Sequence, residues 1–282
     1  RRRQRQIFIR DRAIGKKKLI FKIGKQMIRI LVGITSLFLI LGCGGPSVDR
    51  SDSLVVIDAG HGGHDSGATC AGKQEKDIVL GITKKLYKEF KSEGYKVYMT
   101  RNSDRFLTLG QRTRLADKKD AAVFISIHAN AIANKSRFDV VEGVETYYLQ
   151  KTRDEKSQRI AARENASVLM GQDKLSQDVI IDAVLNGPKI VQSHKLAIDV
   201  QQNIMQNLND DYDDVKDGGV RPAPFYVLVG ASRPSILVEV GYITNPKERK
   251  RLFTSNYQEE IAEGIVEGVN RYLDNRKREV GF

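Results

Sequence analysis

A short apolar strand that runs directly into a glycine-rich turn constrains this sequence more than any other feature. Leu54 to Ile57 are four apolar residues, too few for a helix and typical of a buried parallel strand. The next segment, residues 58–68, contains two histidines and four glycines. Glycines let the backbone turn sharply and approach a ligand closely. Because ligands bind at the carboxyl ends of strands in open α/β sheets, this turn predicts a ligand site.

Two histidines and one glutamate are candidate ligands of a catalytic zinc ion. His61 and His128 each follow an apolar strand, and in a parallel sheet such positions lie at one edge. Glu75 stands just before a predicted helix, where a short return of the chain brings its carboxylate towards the strand ends. Each residue alone also has a structural explanation, since a glutamate at a helix start favours the helix dipole. Together they predict one zinc ion per chain, held by three ligands with one position open.

Glu239 is the candidate general base for this zinc site. It interrupts the apolar run Ile236 to Val240, and a carboxylate in a buried strand is costly unless it is paired or used. A zinc hydrolase needs such a base to take the proton of a water whose pKa the metal lowers to about 7. The alternative is a glutamate on the exposed face of an edge strand. His64, in the glycine-rich turn, is a candidate substrate contact or a solvated side chain.

The order of the remaining elements predicts the fold class. Hydrophobic periodicity predicts helices over 76–93, 107–119, 189–208, 247–253 and 257–275, an acidic loop over 209–219, and strands over 95–100, 121–127, 144–149, 224–229 and 235–240. Alternation of strands and helices indicates a parallel sheet with right-handed crossovers. We therefore expect an α/β fold with a mainly parallel sheet flanked by helices on both faces.

The positive charge of the chain is concentrated at its N-terminus. The net charge is +12, but residues 1–42 hold 12 Lys and Arg and one acid, whereas the other 240 residues hold 35 basic and 34 acidic side chains. No basic patch interleaved with aromatic residues follows residue 50, so no nucleic-acid partner is expected. Basic residues before the apolar run 28–41 are typical of an export signal, with an uncleaved membrane anchor as the alternative.

The end of this leader resembles a bacterial lipobox. In Ile40-Leu-Gly-Cys43 the cysteine would be lipidated after cleavage before it. The predicted organisation is a basic leader and signal peptide over 1–42, a linker over 43–53, a catalytic domain over 54–275 with a helical insert at about 150–190, and a C-terminal tail over 276–282. We therefore expect an exported protein of the periplasm or cell envelope, anchored to a membrane through Cys43.

Four segments carry a closer resemblance. They are Val55-Val-Ile-Asp-Ala-Gly-His-Gly-Gly63, Gln74-Glu-Lys-Asp77, Ser126-Ile-His-Ala-Asn130 and Val238-Glu-Val-Gly-Tyr-Ile-Thr-Asn245. In this order they resemble the motifs of the zinc-dependent N-acetylmuramoyl-L-alanine amidases, the amidase_3 family. The resemblance implies a single α/β domain with a six-stranded sheet. It also implies cleavage of the amide between N-acetylmuramic acid and L-alanine in peptidoglycan.

The resemblance also assigns roles to individual residues. His61, Glu75 and His128 match the family's zinc ligands, and Glu239 matches its catalytic glutamate. Asn130, at the end of the third motif, is a candidate substrate contact. The residues themselves indicate only hydrolysis of an amide with zinc. Another exported zinc amide hydrolase, such as a peptidase or a deacetylase, and a non-catalytic peptidoglycan-binding module remain as alternatives.

Residues 150–190 are longer than a crossover requires. Asp154 can cap a helix that ends at Gly171, and Glu164 lies between apolar residues four positions away on either side. A solvated charge at the helix margin is the commoner explanation, but a packed position would require a partner for Glu164. Leu175 to Leu185 carries more apolar residues than one helix face can hide, which often marks a binding site.

The resemblance suggests a purpose for this insert. Some cell-division members of the family carry an inserted helix that covers the zinc until an activator protein displaces it, and Arg163-Glu-Asn-Ala166 resembles part of that insert. We therefore expect residues 150–190 to bind an activator protein and Glu164 to be a regulatory residue.

Overall fold

Strands and helices alternate along most of the chain in the computed structural model, which describes residues 50–169, 188–229 and 231–281. The elements are β1 (Leu54–Ala59), β2 (Thr69–Cys70), β3 (Lys73–Gln74), α1 (Glu75–Ser92), β4 (Lys96–Met99), α2 (Leu109–Lys118), β5 (Val123–Asn130), β6 (Val144–Leu149), α3 (Glu155–Leu169), α4 (Pro188–Asp211), β7 (Asp217–Ala223), α5 (Tyr226–Val229), β8 (Ser235–Tyr242), α6 (Pro246–Leu252) and α7 (Ser255–Val280). A short 3-10 turn, Lys135–Arg137, lies between β5 and β6.

Six strands form one mainly parallel sheet in the order β4-β1-β5-β8-β6-β7. β1 pairs in parallel with β4 and β5, and β5 pairs in parallel with β8. β6 runs antiparallel to β8, and β7 is parallel to β6. β2 and β3 form a separate hairpin. The predicted α/β class and the six-stranded, mainly parallel sheet are confirmed.

Helices cover both faces of this sheet because successive strand residues point to opposite sides. In β1, Val55 and Ile57 pack in a core cluster with α1, α4 and α7, whereas Val56 packs in a second cluster with α2, α3 and α5. The apolar residues that recur at helical spacing in the predicted helix over 76–93 are all fully buried in the first cluster, namely Ile78, Val79, Ile82, Leu86 and Phe90. The helical periodicity in the sequence therefore identified the face of α1 that meets the sheet.

The segment before β8 differs from the prediction. A strand over 224–229 is wrong, because these residues form a turn and the short helix α5. The strand lies earlier, as β7, and its first three residues fall within the predicted acidic loop over 209–219. The cause is a side chain of α3. Asn165 Nδ2 donates to Pro224 O at 2.8 Å, and Tyr226 N donates to Asn165 Oδ1 at 2.8 Å. These bonds occupy backbone groups that a continuing strand would need.

The last helix is longer than the sequence predicts. α7 continues to Val280, so most of the expected tail over 276–282 is helical. Lys195 Nζ of α4 lies 2.6 Å from Glu279 Oε1 and ties the end of α7 to the domain. Gly281, with φ of 76°, then ends the helix in a left-handed conformation.

Several predictions concern residues outside the described ranges. They are the leader over 1–42, the lipidation of Cys43, the first part of the linker over 43–53, the helix stop at Gly171 and the apolar segment Leu175 to Leu185. Within the ranges that the structure describes, no helix combines the length and the apolar character needed to cross a membrane.

α4 and α7 approach each other closely at Gly268. A Cβ atom at this position would lie 2.4 Å from Val200 Cα and 2.8 Å from Asp199 O. Neither contact can be relieved by a rotamer change, because both atoms belong to the backbone of α4. The absence of a side chain at Gly268 therefore sets the distance between these two helices.

We expect Gly268→Ala to destabilise the protein. Moving the helices apart costs ~1–3 kcal/mol, more than the ~1 kcal/mol that Ala gains over Gly in a helix. Thermal unfolding followed by circular dichroism should therefore have a lower midpoint. Glu267→Ala changes an exposed neighbour on the same helix and should have little effect. A midpoint for Gly268→Ala at or above that of the unchanged chain would contradict the close contact.

Candidate metal centre

Four ionisable side chains converge at the carboxyl ends of β1 and β5: His61, Glu75, His128 and Glu164. Each offers one ligand atom, and these atoms all lie within 4.8 Å of one another. His61 follows β1, Glu75 is the first residue of α1, and His128 lies within β5, because the ladder with β8 continues to Asn130. The structure brings together the three predicted zinc ligands and adds Glu164 from α3.

The two imidazoles and the two carboxylates alternate around a common centre. Glu75 Oε1 lies 3.1 Å from His61 Nε2 and 3.1 Å from His128 Nδ1. Glu164 Oε2 lies 3.1 Å from His61 Nε2 and 3.0 Å from His128 Nδ1. The His61 side chain is 12% exposed and the other three are 5% exposed or less. The four ligand atoms therefore face one another with little access to water.

The tautomer of His61 makes this cluster a site for a cation. Its Nδ1 lies 2.9 Å from Asp65 Oδ2, and a carboxylate at this distance fixes the proton on Nδ1. Nε2 then presents a lone pair to carboxylate oxygens, and both His61 Nε2 and Glu164 Oε2 are buried without a hydrogen-bond partner among the described residues. Such atoms are stable together only with a proton or a metal cation between them. Two imidazoles with carboxylates suit zinc.

The protonation states of the four side chains also favour a cation site. Burial alone would lower the pKa of both histidines, but Glu75 raises the pKa of His61 well above its ordinary value, and Glu164 raises the pKa of His128 to about 9. Burial would likewise raise the pKa of both glutamates, but His61 holds the pKa of Glu75 well below its ordinary range. Arg163 does the same for Glu164. The two carboxylates are therefore anionic, and a bound metal ion would replace the protons on the histidines.

Backbone N–H groups hold Glu75 in place. Ala129 N donates to Oε1 at 2.9 Å, and Ala68 N donates to Oε2 at 2.8 Å. The chain approaches the ligands closely at Gly67, which has φ of 64°. A Cβ atom there would lie 2.6 Å from Glu75 Oε2 and 2.6 Å from His61 Cδ2. The glycine at this position therefore allows the side chains of His61 and Glu75 to come together. This is the close approach of the backbone that the glycine-rich turn predicts.

Glu239 lies beside the cluster on the central strand β8. It is fully buried and pairs in register with His128 on β5, so the alternative of an exposed glutamate on an edge strand is wrong. Neither carboxylate oxygen has a hydrogen-bond partner among the described residues, and the nearest ion-pair contact is Arg163 Nη2 at 3.8 Å from Oε1. Burial raises the pKa of Glu239 to about 8, although Arg163 opposes the shift.

Helix α3 packs over the cluster and delivers Glu164. Asp154 caps the helix as predicted, since Ser157 N donates to Asp154 Oδ2 at 2.9 Å. Glu164 is 6% exposed, so the explanation of a solvated charge at the helix margin is wrong. Arg163 Nη2 lies 2.6 Å from Glu164 Oε1, and Arg163 Nη1 donates to Ala131 O at 2.8 Å. Arg163 and Glu164 therefore bind α3 to the carboxyl ends of the central strands.

The two candidate substrate contacts occupy different environments. His64 is exposed, and its ring centroid lies 4.2 Å from that of Phe106, so it remains accessible to a ligand. Asn130 is fully buried, its Nδ2 donates to Glu145 Oε2 at 3.3 Å, and its Oδ1 accepts from Arg163 Nη1 at 3.3 Å. The geometry gives no support to a direct substrate contact by Asn130. Its amide instead links β6 to α3.

Comparison with known families agrees with this geometry. The family model described as N-acetylmuramoyl-L-alanine amidase, Amidase_3, matches residues 55–271. The chain belongs to this amidase family. The matched region contains all four cluster residues and Glu239, and it covers more than half of the sequence.

Individual members of the amidase family are also similar. The chain is 36% identical to N-acetylmuramoyl-L-alanine amidase AmiC of Escherichia coli over 224 residues, which cover 78% of this chain and 52% of AmiC. It is 31% identical to AmiA of Escherichia coli over 231 residues, covering 79% of this chain and 78% of AmiA. The chain thus spans about half the length of AmiC and most of AmiA.

Solved amidase structures share the fold. The amidase AmiC2 of Nostoc punctiforme has a TM-score of 0.57 and 34% identity, covering 79% of this chain and 97% of AmiC2. The CwlD amidase of Clostridioides difficile, solved in complex with the GerS lipoprotein, has a TM-score of 0.58 and 26% identity, covering 79% of this chain and 99% of CwlD.

We expect Gly67→Ala to weaken zinc binding by this amidase-family chain, because the added methyl group would push Glu75 and His61 apart. Gly72→Ala is a matched control, since Gly72 has a similar φ of 73° but a Cβ there would meet nothing within 4 Å. Zinc affinity measured by competition with a chromophoric chelator should fall roughly 10- to 100-fold for Gly67→Ala only, as for other changes next to metal ligands. Equal affinities of the two variants would contradict the steric argument.

Proposed function

We propose that this chain is an enzyme that uses zinc to hydrolyse the amide between N-acetylmuramic acid and L-alanine in peptidoglycan. The observation that carries the proposal is a buried set of metal-ligating atoms beside Glu239, a buried carboxylate without a hydrogen-bond partner among the described residues. This combination supports hydrolysis by a metal ion and a general base. The names of the relatives, N-acetylmuramoyl-L-alanine amidases, supply the bond that is cleaved.

His61, Glu75 and His128 would hold one zinc ion and leave one position open. Zinc bound there supplies a Lewis acid that polarises the scissile carbonyl and lowers the pKa of a water molecule to about 7. The chain contributes the orientation of the ligands. Asp65 fixes the ring of His61, and the N–H groups of Ala68 and Ala129 fix the carboxylate of Glu75. Such supporting hydrogen bonds strengthen metal binding.

Glu239 would move the protons of the reaction. As an anion it takes the proton of the attacking water, and in its protonated form it donates that proton to the leaving amine of L-alanine. Burial raises the pKa of Glu239 and favours its protonated form, whereas the positive charge of a metal ion bound beside it would favour the anion. Its position on a central strand keeps the carboxylate rigid. No serine or cysteine nucleophile is required.

Digestion of purified peptidoglycan sacculi tests this function directly. The full chain loaded with zinc should release stem peptides that begin with a free L-alanine N-terminus, detected by mass spectrometry after end-group labelling. A different new N-terminus would indicate a peptidase, and released acetate would indicate a deacetylase. Binding to sacculi without any release would indicate a non-catalytic binding module. Each of these three outcomes would overturn the proposed amidase function.

We expect Glu239→Gln to separate catalysis from metal binding. The substitution keeps the shape of the side chain but removes the base, so turnover should fall by roughly 10²–10⁴ while zinc content and folding are retained. Glu267→Gln, at an exposed carboxylate of α7, is the control for the chemical change and should keep its turnover. Persistent turnover by Glu239→Gln would assign Glu239 a structural role only.

We also propose that the insert at about 150–190 restrains the enzyme, with Glu164 as the regulatory residue. Glu164 Oε2 lies 3.1 Å from His61 Nε2 and 3.0 Å from His128 Nδ1, so it would compete with water or substrate for the open position of a metal ion held there. Arg163 approaches Glu239 from the same helix, which pairs the base with a positive charge. An activator protein would move α3, and Leu175 to Leu185 is the proposed contact. The GerS lipoprotein in the CwlD structure supports a protein partner of this kind.

Removal of the Glu164 carboxylate should therefore raise activity. We expect Glu164→Ala to digest sacculi several-fold faster than the unchanged chain, because the position opposite the histidines becomes free. Glu155→Ala is the matched control on the same helix, since the Glu155 side chain is 86% exposed. Replacement of residues 152–188 by a short Gly/Ser linker should have at least the effect of Glu164→Ala. Folded, zinc-bound variants that are no faster would argue against a restraint.

The cellular location follows from the leader. We propose an exported, membrane-anchored lipoprotein of the periplasm or cell envelope, attached through Cys43. Cells that express the chain should contain it in the detergent phase after Triton X-114 partitioning, and Cys43→Ser should move it to the aqueous phase. Cys70→Ser, at the other cysteine, is the control and should remain in the detergent phase. A Cys43→Ser protein that stays membrane-bound would favour an uncleaved anchor.

A further inference from the structure

Two buried arginines lie behind the glycine-rich turn without touching the metal-ligating atoms. Arg101 follows β4 and is fully buried, and Arg112 in α2 is 2% exposed. Arginine is almost never fully buried unless its guanidinium is paired. Neither residue contributes to the proposed chemistry. The hydrogen bonds that Arg101 and Arg112 make explain why they are buried there.

Arg112 binds the backbone of the ligand-bearing turn. Its Nη1 donates to Ala59 O at 2.5 Å and to Asp58 Oδ1 at 2.9 Å, while its Nη2 donates to His61 O at 2.8 Å. Asp58 is itself fixed, because it also accepts from Ser126 Oγ on β5 at 2.8 Å. The guanidinium therefore connects the carbonyl of His61 to a buried carboxylate in the sheet.

Arg101 binds the backbone of the same turn and of α1. Its Nε donates to Ala59 O at 2.9 Å, and its Nη2 donates to Gly60 O at 2.7 Å and to Lys76 O at 3.1 Å. Lys76 follows Glu75 in the first turn of α1. The three successive carbonyls of residues 59–61 are thus all bound by the two arginines, and Arg101 also joins this turn to the helix that carries Glu75.

His61 needs this support because its backbone is strained. Its φ is 57°, in the left-handed region that side chains with a Cβ atom rarely adopt. Such a conformation costs free energy and persists only where the surroundings fix it. The left-handed turn at His61 is also what aims the imidazole at Glu75 and Glu164. Planar guanidinium groups suit this task, because each presents several N–H donors in a rigid geometry.

We infer that Arg101 and Arg112 are positioning residues for the metal site, which hold His61 in its left-handed conformation and so preorganise the imidazole. This inference rests on the proposed zinc site. A purely structural role would give a different result, since it would lower the stability of the whole domain without a specific effect on the affinity that His61 contributes. The two roles are separated by zinc affinity measured on folded protein.

Arg112→Lys and Arg101→Lys keep the charge but lose the rigid set of hydrogen bonds that the guanidinium makes. In the full chain at 20 °C, well below unfolding as checked by circular dichroism, zinc affinity should fall roughly 10- to 100-fold in competition with a chromophoric chelator. The visible spectrum of the cobalt-substituted protein should change with it, because the imidazole is displaced. Arg114→Lys, at an exposed arginine of α2, is the matched control and should bind zinc like the unchanged chain.

A double variant tests whether Arg112 acts through His61. In the His61→Ala background, Arg112→Lys should change zinc affinity by less than about twofold, because the group it positions is gone. An undiminished effect of Arg112→Lys in that background would overturn the inference, as would single Lys variants with unaltered affinity or Lys variants that both fail to fold. Absence of zinc from the unchanged chain would instead overturn the proposed function, and this inference with it.

Discussion

Two buried carboxylates facing two buried imidazoles are the interaction on which the rest of this structure depends. Glu75 and Glu164 lie about 3 Å from the ring nitrogens of His61 and His128, and His61 Nε2 has no hydrogen-bond partner among the described residues. Burying these groups is unfavourable unless a cation lies between them. The glycine-rich turn, the first turn of α1 and the end of β5 together bring these atoms within 4.8 Å of one another.

The sheet makes this convergence possible because β1, β5 and β8 are parallel neighbours. Their carboxyl ends bring His61, which follows β1, close to His128 on β5 and Glu239 on β8. The remaining two cluster residues come from helices, Glu75 from α1 and Glu164 from α3. α1 connects β3 to β4, whereas α3 lies between β6 and α4 and packs over the cluster. The centre is thus built by the ends of strands and by two helices that are distant in the sequence.

Much of this could be predicted from the sequence, for reasons that differ between residues. His61 and His128 follow apolar strands, and Glu239 interrupts one. Because ligand sites lie at the carboxyl ends of parallel strands, these three residues could be placed together without knowledge of the fold. The convergence of Glu164 with them could not be predicted from the residues, because α3 reaches the site through long-range contacts of Arg163 and Asn165. Those same contacts explain why residues 224–229 do not form the predicted strand. The buried charges of Arg101 and Arg112 gave no signal, since most of their acceptors are backbone carbonyls, which have no signature in the sequence.

X-ray absorption at the zinc edge tests the central claim most directly. The full chain, purified and washed free of loosely bound metal, should contain zinc whose nearest ligands are only nitrogen and oxygen at about 2.0–2.1 Å, with the multiple-scattering pattern of two imidazoles. That result would place the metal between His61 and His128, with carboxylate oxygen completing the set. A spectrum without zinc, with fewer than two imidazoles, or with a sulfur ligand at about 2.3 Å would contradict the account.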